Sequence, residues 1–401
     1  MQKRYTKIGR LLEKNQSVLI LGPRGTGKSY YINHFLASVD AKIVIDLLET
    51  DTYSRFLKNP GMLAKIVAYQ LESESRLMVF IDEVQKVPAL LDEVHRLIEL
   101  FGKKLVFVLT GSSARKLRRS HANLLAGRAA YIPFFPFNAL EIDLVKNFER
   151  VMQYGSLPQP FLENDVDLIE NYLRTYAHIY LKEEIQQESL TRNIGQFSRF
   201  MEFAAFENGN PINYSKIARQ LGVSLKTVQG HYQILEDTLI VTKIPAWTLS
   251  IRKQMIQMPK YYFFDNGIIN SLTGELKTEL KESSYRFGRL FENMVVNEII
   301  RCNELMELDY NLYHYRTNHG SEIDLVLQQN PKSLPIAVEI KSTSNPETVN
   351  LRPLLSFKEE FPDARCYVLC RVPFPFKDGE IIFLPFERWN NEMHEREFEQ
   401  E

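Results

Sequence analysis

Cysteine is scarce in this chain, and its scarcity excludes two kinds of protein. Cys302, Cys366 and Cys370 are the only three among 401 residues. That is too few for a disulfide-built secreted scaffold, and it suits a reducing compartment. Cys366 and Cys370 have no second cysteine pair or nearby histidine to complete a zinc site. Long apolar runs are missing too. No stretch reaches the roughly 18 residues that a membrane helix needs, so no membrane partner is expected. The opening Met1-Gln2-Lys3-Arg4-Tyr5 lacks the apolar core of a secretory leader, and a cytoplasmic location is the expectation. Excess charge of either sign is absent, since 49 basic against 50 acidic residues leave a net charge of −1. No global field therefore advertises a nucleic-acid partner, although a local basic groove is compatible with this balance. There are no repeats and no low-complexity segment. The length is enough for two to four domains with ample core.

What is present begins with a phosphate loop. Gly22-Pro23-Arg24-Gly25-Thr26-Gly27-Lys28-Ser29 satisfies G-x-x-x-x-G-K-[ST] and follows the apolar run Ser17-Val18-Leu19-Ile20-Leu21. A strand entering a glycine-rich loop and then a helix is the context this motif requires. The glycines let backbone N–H groups curl around the β- and γ-phosphates of ATP. The helix opening near Lys28 adds unpaired N–H groups and a partial positive charge. Lys28 is expected to neutralise the terminal phosphates, and Ser29 to hold Mg²⁺.

Roughly fifty residues further on, Leu77-Met78-Val79-Phe80-Ile81-Asp82-Glu83 reads as a buried parallel strand ending in two carboxylates. Asp82 is expected to hold Mg²⁺ through water, and Glu83 to polarise the attacking water. The next strand, 104–110, runs into Gly111-Ser112-Ser113. Ser112 or Thr110 is the candidate to touch the γ-phosphate or the water. Arg128, in Leu125-Ala126-Gly127-Arg128, reads equally as an arginine finger across a subunit interface, a local phosphate sensor or a structural residue. The finger reading carries the expectation of a homo-oligomer.

Residues 1–137 alternate strand and helix, which argues a parallel sheet with helices on both faces. Residues 138–205 read as helical, and a helical lid after a nucleotide-binding sheet is the arrangement of AAA-type ATPases. Residues 206–258 read as a winged helix-turn-helix. One amphipathic helix lies in 212–221, a turn at Gly222-Val223-Ser224, a second helix in 225–235 and a strand in 239–244. The exposed face carries Lys226, Thr227, Gln229 and Gln233. It is polar but weakly basic, and it suits docking to DNA or to a protein.

A second constellation lies in residues 259–401. A helix in 285–301 carries Glu292. A strand follows with Asp324 inside an apolar run, then a turn at Pro331, then Ile336-Ala337-Val338-Glu339-Ile340-Lys341. Asp on one strand and Glu-x-Lys on its hairpin partner is the core of a PD-(D/E)XK nuclease. The period of two puts Glu339 and Lys341 on one face. Asp324 and Glu339 would ligate Mg²⁺ or Mn²⁺, hard cations that prefer oxygen. Lys341 would orient the attacking water or steady charge at the scissile phosphate, and Glu292 would be a further ligand or a positioner. An amphipathic hairpin with solvated charges would show the same alternation.

With these motifs in place, nearly the whole chain resembles the prokaryotic AAA-type ATPases that carry a C-terminal uncharacterised domain related to PD-(D/E)XK nucleases. The phosphate loop, Asp82-Glu83 and Gly127-Arg128 match the ATPase half. Residues 176–184 resemble its linking helix. Lys260-Tyr261-Tyr262-Phe263-Phe264-Asp265-Asn266-Gly267 and Phe287-Gly288-x-x-Phe291-Glu292-Asn293 resemble two further motifs. Many relatives have Thr where Asn266 stands. The resemblance implies an α/β P-loop sheet with helical lid, then a winged helix-turn-helix, then a PD-(D/E)XK nuclease-like domain. The expected function is ATP hydrolysis to ADP and phosphate, coupled to a DNA-directed, metal-dependent nuclease-like domain acting in genome maintenance or defence against foreign DNA. The alternative is an ATP-driven switch whose C-terminal domain binds DNA or a protein without cutting.

Overall fold

A computed structural model of the protein describes residues 3–113, 127–181, 194–248, 257–316 and 322–398. Leu125 and Ala126, and residues 182–184 of the linking helix, lie outside the described residues. The chain divides into two compact units. One comprises Lys3–Pro136 with Asp237–Ile240, the other Phe137–Glu236 with Val241–Glu401.

The first unit is a five-stranded sheet of β1 (Ser17–Leu21), β2 (Lys42–Asp46), β3 (Leu77–Asp82), β4 (Leu105–Gly111) and β5 (Ala129–Pro133). Their order is β2-β3-β4-β1-β5, and every pairing is parallel. The near-continuous apolar character of β3 and β4 follows from burial on both faces. Alternate residues serve opposite layers. Val79, Ile81, Phe107 and Leu109 pack with Phe56, Leu63, Val67 and Val94 from helices Thr50–Lys58, Met62–Gln70 and Leu90–Phe101. Met78, Phe80, Val106 and Val108 pack with Ile8, Leu12, Ile32 and Leu36 from helices Ile8–Glu13 and Lys28–Leu36. Since β4 separates β1 from β3, its C-terminal end lies between the phosphate loop and Asp82.

The second unit opens with short helices, Phe148–Tyr154, Pro158–Leu162 and Val166–Thr175, the last continuing through a wider turn at Tyr176–Tyr180. Helix Ile194–Phe206 follows. Helices Tyr214–Leu221 and Leu225–Asp237 are joined through Gly222, which closes the first in a left-handed conformation. An antiparallel ribbon of β6 (Val241–Ile244) and β7 (Lys260–Phe263) comes next. The larger sheet contains β8 (Asn311–Arg316), β9 (Glu322–Gln328), β10 (Ile336–Ile340), β11 (Arg365–Cys370), β12 (Phe376–Asp378) and β13 (Ile381–Pro385), in the order β12-β13-β11-β10-β9-β8. β9 and β10 are antiparallel, whereas β10, β11 and β13 run parallel. Helix Arg352–Glu360 makes the crossover from β10 to β11, burying Leu354 and Phe357 beside Val326 and Val368.

The segment after β7 binds this unit together through buried polar groups. Asp265 caps helix Asn266–Leu272, accepting from Gly267 N at 2.9 Å and Ile268 N at 3.3 Å, and its second oxygen accepts from Ser156 N at 2.7 Å. Gly155, at φ +75°, is required there, because a Cβ would stand 1.9 Å from Asp265 Oδ1. Asn266 Nδ2 donates to Leu290 O at 3.0 Å, and Asn293 Nδ2 to Asn266 Oδ1 at 2.8 Å. The Asp-Asn-Gly and Glu-Asn motifs are thus one stitched junction between β7 and helix Tyr285–Leu305. No helix among the described residues is long and apolar enough to cross a membrane.

Candidate functional site

The phosphate loop turns between β1 and helix Lys28–Leu36. Gly25 and Gly27 have positive φ, at +79° and +89°, and Gly27 is the residue before the helix. Gly22 is set against β5, where a Cβ would stand 1.9 Å from Phe134 O. Thr26 Oγ1 donates to Pro23 O at 2.9 Å, closing the loop on itself. Arg4 anchors the outside, donating to Thr26 O at 2.9 Å and to Phe135 O at 2.6 Å. The Lys28 ammonium lies inside the loop and donates to Gly22 O at 2.8 Å and Pro23 O at 2.9 Å. Pro23 and Arg24 complete the loop between these contacts.

Asp82 meets this loop from β3. Its carboxylate accepts from the Thr110 hydroxyl and is hydrogen-bonded to Ser29. Burial raises its pKa above the usual carboxylate value, opposed by the Ser29 and Thr110 hydroxyls and aided by Glu83. Of the two expected candidates at the end of β4, Thr110 therefore serves Asp82, and Ser112 serves Glu83. Ser112 Oγ donates to Glu83 Oε2 at 3.2 Å. Sequence reasoning missed Gln85, whose Nε2 donates to Glu83 and to Ser112 Oγ, the latter at 3.0 Å. Gly111 makes room for it, since a Cβ there would lie 2.6 Å from Gln85 Oε1. Glu83 itself is left-handed, at φ +56° and ψ +47°. A non-glycine residue there costs roughly 1–2 kcal/mol, which the Gln85 and Ser112 contacts offset. Arg128 pairs at 2.5 Å with Glu99 of helix Leu90–Phe101, at the surface of the first unit.

The second site forms where β9 and β10 part. Their ladder runs through Ile336↔Leu327, Ala337↔Val326 and Val338↔Leu325. Beyond it, Asp324 Oδ2 accepts from Ile340 N at 2.8 Å, a side chain standing in for a ladder partner. Lys341 Nζ contacts Glu339 Oε1 at 2.6 Å and Asp324 Oδ2 at 3.6 Å, and donates to Ile340 O at 3.2 Å. The structure thus brings Asp324, Glu339 and Lys341 together.

Glu292 approaches from helix Tyr285–Leu305. It accepts from the Tyr262 hydroxyl at 2.7 Å and lies 3.9 Å from Lys260 Nζ. Lys260 and Tyr262, both on β7, belong to a motif quoted from sequence but had no role assigned there, and Glu322 on β9 was not singled out. Lys260 Nζ is 2.7 Å from Glu322 and 3.9 Å from Asp324. Gly209, at φ +76°, admits this packing, since a Cβ would come within 3.3 Å of Glu292 Oε1. The signal was the motif in residues 260–267, in which Lys260 alternates with Tyr262 on one strand, and it does not reveal the acids that surround them.

The electrostatics of the cluster are those of crowded acids. Burial pushes Glu339 up to about 8, with Asp324 adding and Lys341 opposing. Burial also raises Glu292, again with Asp324 adding and Lys260 opposing. For Lys260 and Lys341 burial would lower the pKa, but the surrounding carboxylates outweigh it and raise both. Glu339 is 6 % exposed, and its Oε2 is buried without a hydrogen-bond partner. An unpartnered buried carboxylate oxygen beside a second carboxylate and a backbone carbonyl is a donor set suited to a hard divalent cation. Asp324 and Glu339 are the residues that would hold it. Among the described residues, no three His, Cys, Asp or Glu side chains form a ready-made metal cage. The fit is therefore to a site with two carboxylates.

Comparison with known proteins follows the same division. Residues 14–143 match the family described as AAA domain. Residues 145–279 and 287–389 match two families described as domains of unknown function, DUF8612 and DUF4143. An uncharacterized protein of Mycobacterium tuberculosis is 24 % identical over 85 % of this chain and 73 % of its own length. An uncharacterized protein of Methanocaldococcus jannaschii is 23 % identical over 94 % of this chain and 88 % of its own. Among solved structures, the Aeropyrum pernix ORC1 protein in complex with DNA aligns at 12 % identity and a TM-score of 0.28, covering 69 % of this chain and 94 % of that one. The Aeropyrum pernix ORC2 protein aligns at 11 % and 0.28, covering 67 % and 92 %. The family match and the sheet carrying the phosphate loop agree, and residues 14–143 form an AAA-type, P-loop ATPase-like domain.

Proposed function

We propose that this chain hydrolyses ATP at the phosphate loop and uses that cycle to control a DNA-directed, metal-dependent phosphodiesterase site in its second unit. Lys28 neutralises the β- and γ-phosphates, and the backbone of residues 22–29 cradles them. Ser29 and Asp82 hold Mg²⁺. Glu83, kept in place by Gln85 and Ser112, polarises the attacking water. Arg128 acts on the γ-phosphate of a neighbouring protomer in a homo-oligomer. In the second unit Asp324 and Glu339 bind Mg²⁺ or Mn²⁺, Glu292 supports them, and Lys341 steadies charge at the scissile phosphate. A bound cation would supply charge stabilisation and an activated water. Helices Tyr214–Leu221 and Leu225–Asp237 with the β6–β7 ribbon act as a winged helix that docks DNA. A role in genome maintenance or defence against foreign DNA fits this combination.

The observation that carries the reading is the meeting of Asp324, Glu339 and Lys341 where the β9–β10 ladder opens. The test is cleavage of single-stranded, duplex and branched DNA by the full chain in Mn²⁺, with and without ATP, against Asp324→Ala. Metal-dependent cutting lost in the variant supports the reading. A second reading, an ATP-driven switch that binds DNA or protein without cutting, is favoured by the two lysines already seated among the acids. Binding without cleavage under every condition would select it.

A further inference from the structure

Two ammonium groups serve the acid cluster of the second unit, and they differ in kind. Lys341 has a side chain 38 % exposed, at the end of β10, with room to move. Its Nζ lies 2.6 Å from Glu339 Oε1, 3.6 Å from Asp324 Oδ2 and 3.2 Å from Ile340 O, and leaves Glu339 Oε2 to a cation. Lys260 is 2 % exposed on β7, and its Nζ lies within 4 Å of Glu292, Glu322 and Asp324. Burying an ammonium is costly unless it is paired. Here its partners come from two separate elements, helix Tyr285–Leu305 and β9. Asp324 is the acid shared between the two lysines.

We propose that Lys260 is a resident cation that fills the place of a second metal ion, so that the nuclease-like site binds one divalent cation at Asp324 and Glu339. This rests on the reading of that site given above. Once a bound cation has displaced any protons from the cluster, Glu292, Glu322, Asp324 and Glu339 face two ammoniums, leaving the two negative charges that one divalent cation balances. The unpartnered, buried Oε2 of Glu339 is the vacant acceptor on the Lys341 side. On the Lys260 side the carboxylates already converge on a nitrogen. Two-ion phosphodiesterase sites share a carboxylate between ions ~4 Å apart, and Asp324 is shared here between ammoniums instead.

The test counts ions in the nucleotide-free, full-length chain by Mn²⁺ titration followed by electron paramagnetic resonance. Ions at this site are those abolished by Asp324→Asn. Wild type is expected to bind one such ion, Lys260→Arg one, and Lys260→Met two, with Lys260→Gln as a second neutral variant should the Met protein fail to fold. Two Asp324-dependent ions in wild type would overturn the proposal, whatever the variants do. A single ion in both wild type and a folded neutral variant would also overturn it, while leaving the metal-site reading intact. No Asp324-dependent ion in wild type would instead remove the metal-site reading on which it rests.

Discussion

Replacing Gln85 by Ala tests the arrangement around Glu83. The Gln85 amide donates to the Glu83 carboxylate and to Ser112, which itself donates to Glu83. Nothing else described for Gln85 touches the phosphate loop. The substitution removes a hydrogen bond to a charged acceptor, worth roughly 1.5–3 kcal/mol. It also frees a residue held in a left-handed backbone conformation. If that free energy positions Glu83 for catalysis, about 1.4 kcal/mol per decade converts it to a fall in kcat of roughly 10- to 150-fold. Lys28, Ser29 and the loop are untouched, so nucleotide affinity is expected to stay within about threefold of wild type. The assay is phosphate release at saturating ATP, with a separate titration by a fluorescent nucleotide. Glu83→Gln is the reference, retaining affinity and losing turnover. An unchanged kcat in Gln85→Ala, or a loss of affinity matching the loss of turnover, would refute the reasoning.

Three other outcomes follow from the structure. Gly155→Ala places a Cβ 1.9 Å from Asp265 Oδ1 at a positive φ. Breaking that cap and straining the backbone is expected to cost ~4 kcal/mol or more, read as a loss of soluble, folded protein or a fall in Tm exceeding 10 °C on the order expected for such a loss. Burial pushes Asp265 up from 3.8 to about 6, against the pull of the Ser156 amide and Arg301. The folded chain thus holds this proton more tightly than the unfolded one, so the contribution is full below about pH 4 and is lost as pH rises through about 6. At ~1.4 kcal/mol per pH unit it is worth on the order of 3 kcal/mol, and in urea unfolding the change in stability between about pH 4 and 6 should differ between wild type and Asp265→Asn by that amount. Arg128→Ala leaves Tm unchanged, because its partner Glu99 lies at the surface. It lowers ATPase rate only where the wild-type rate rises with protein concentration, and equal rates at all concentrations would remove the finger role.

The parts legible in sequence are those whose residues act near one another along the chain. The phosphate loop is contiguous, and β3 runs directly into Asp82 and Glu83, so strand, loop and carboxylates are readable from a single window. The Asp324 and Glu339-x-Lys341 pattern is legible because one hairpin supplies all of it. Gln85 was hidden because its role depends on Ser112 and on the space left by Gly111, both on a different strand. The role of Lys260, quoted only as the start of a motif, was hidden for the same reason. A lysine at a strand start looks solvated until Glu292, Glu322 and Asp324 are folded around it. The residues expected as lid, winged helix and nuclease-like domain fall in one compact unit, apart from Asp237–Ile240. Contacts such as Asp265 to Ser156 and Arg301 to Phe137 O at 3.0 Å join segments more than a hundred residues apart, and no local pattern announces them.

The central claim is that one chain holds two separable phosphate-cleaving sites. It is tested most directly by following phosphate release from ATP and strand cleavage of DNA in the same Mn²⁺-containing reaction, for wild type, Glu83→Gln and Asp324→Ala. Wild type is expected to show both activities, Glu83→Gln to lose phosphate release, and Asp324→Ala to lose cleavage while releasing phosphate at the wild-type rate. Cleavage that survives in Asp324→Ala, or phosphate release that survives in Glu83→Gln, would contradict it.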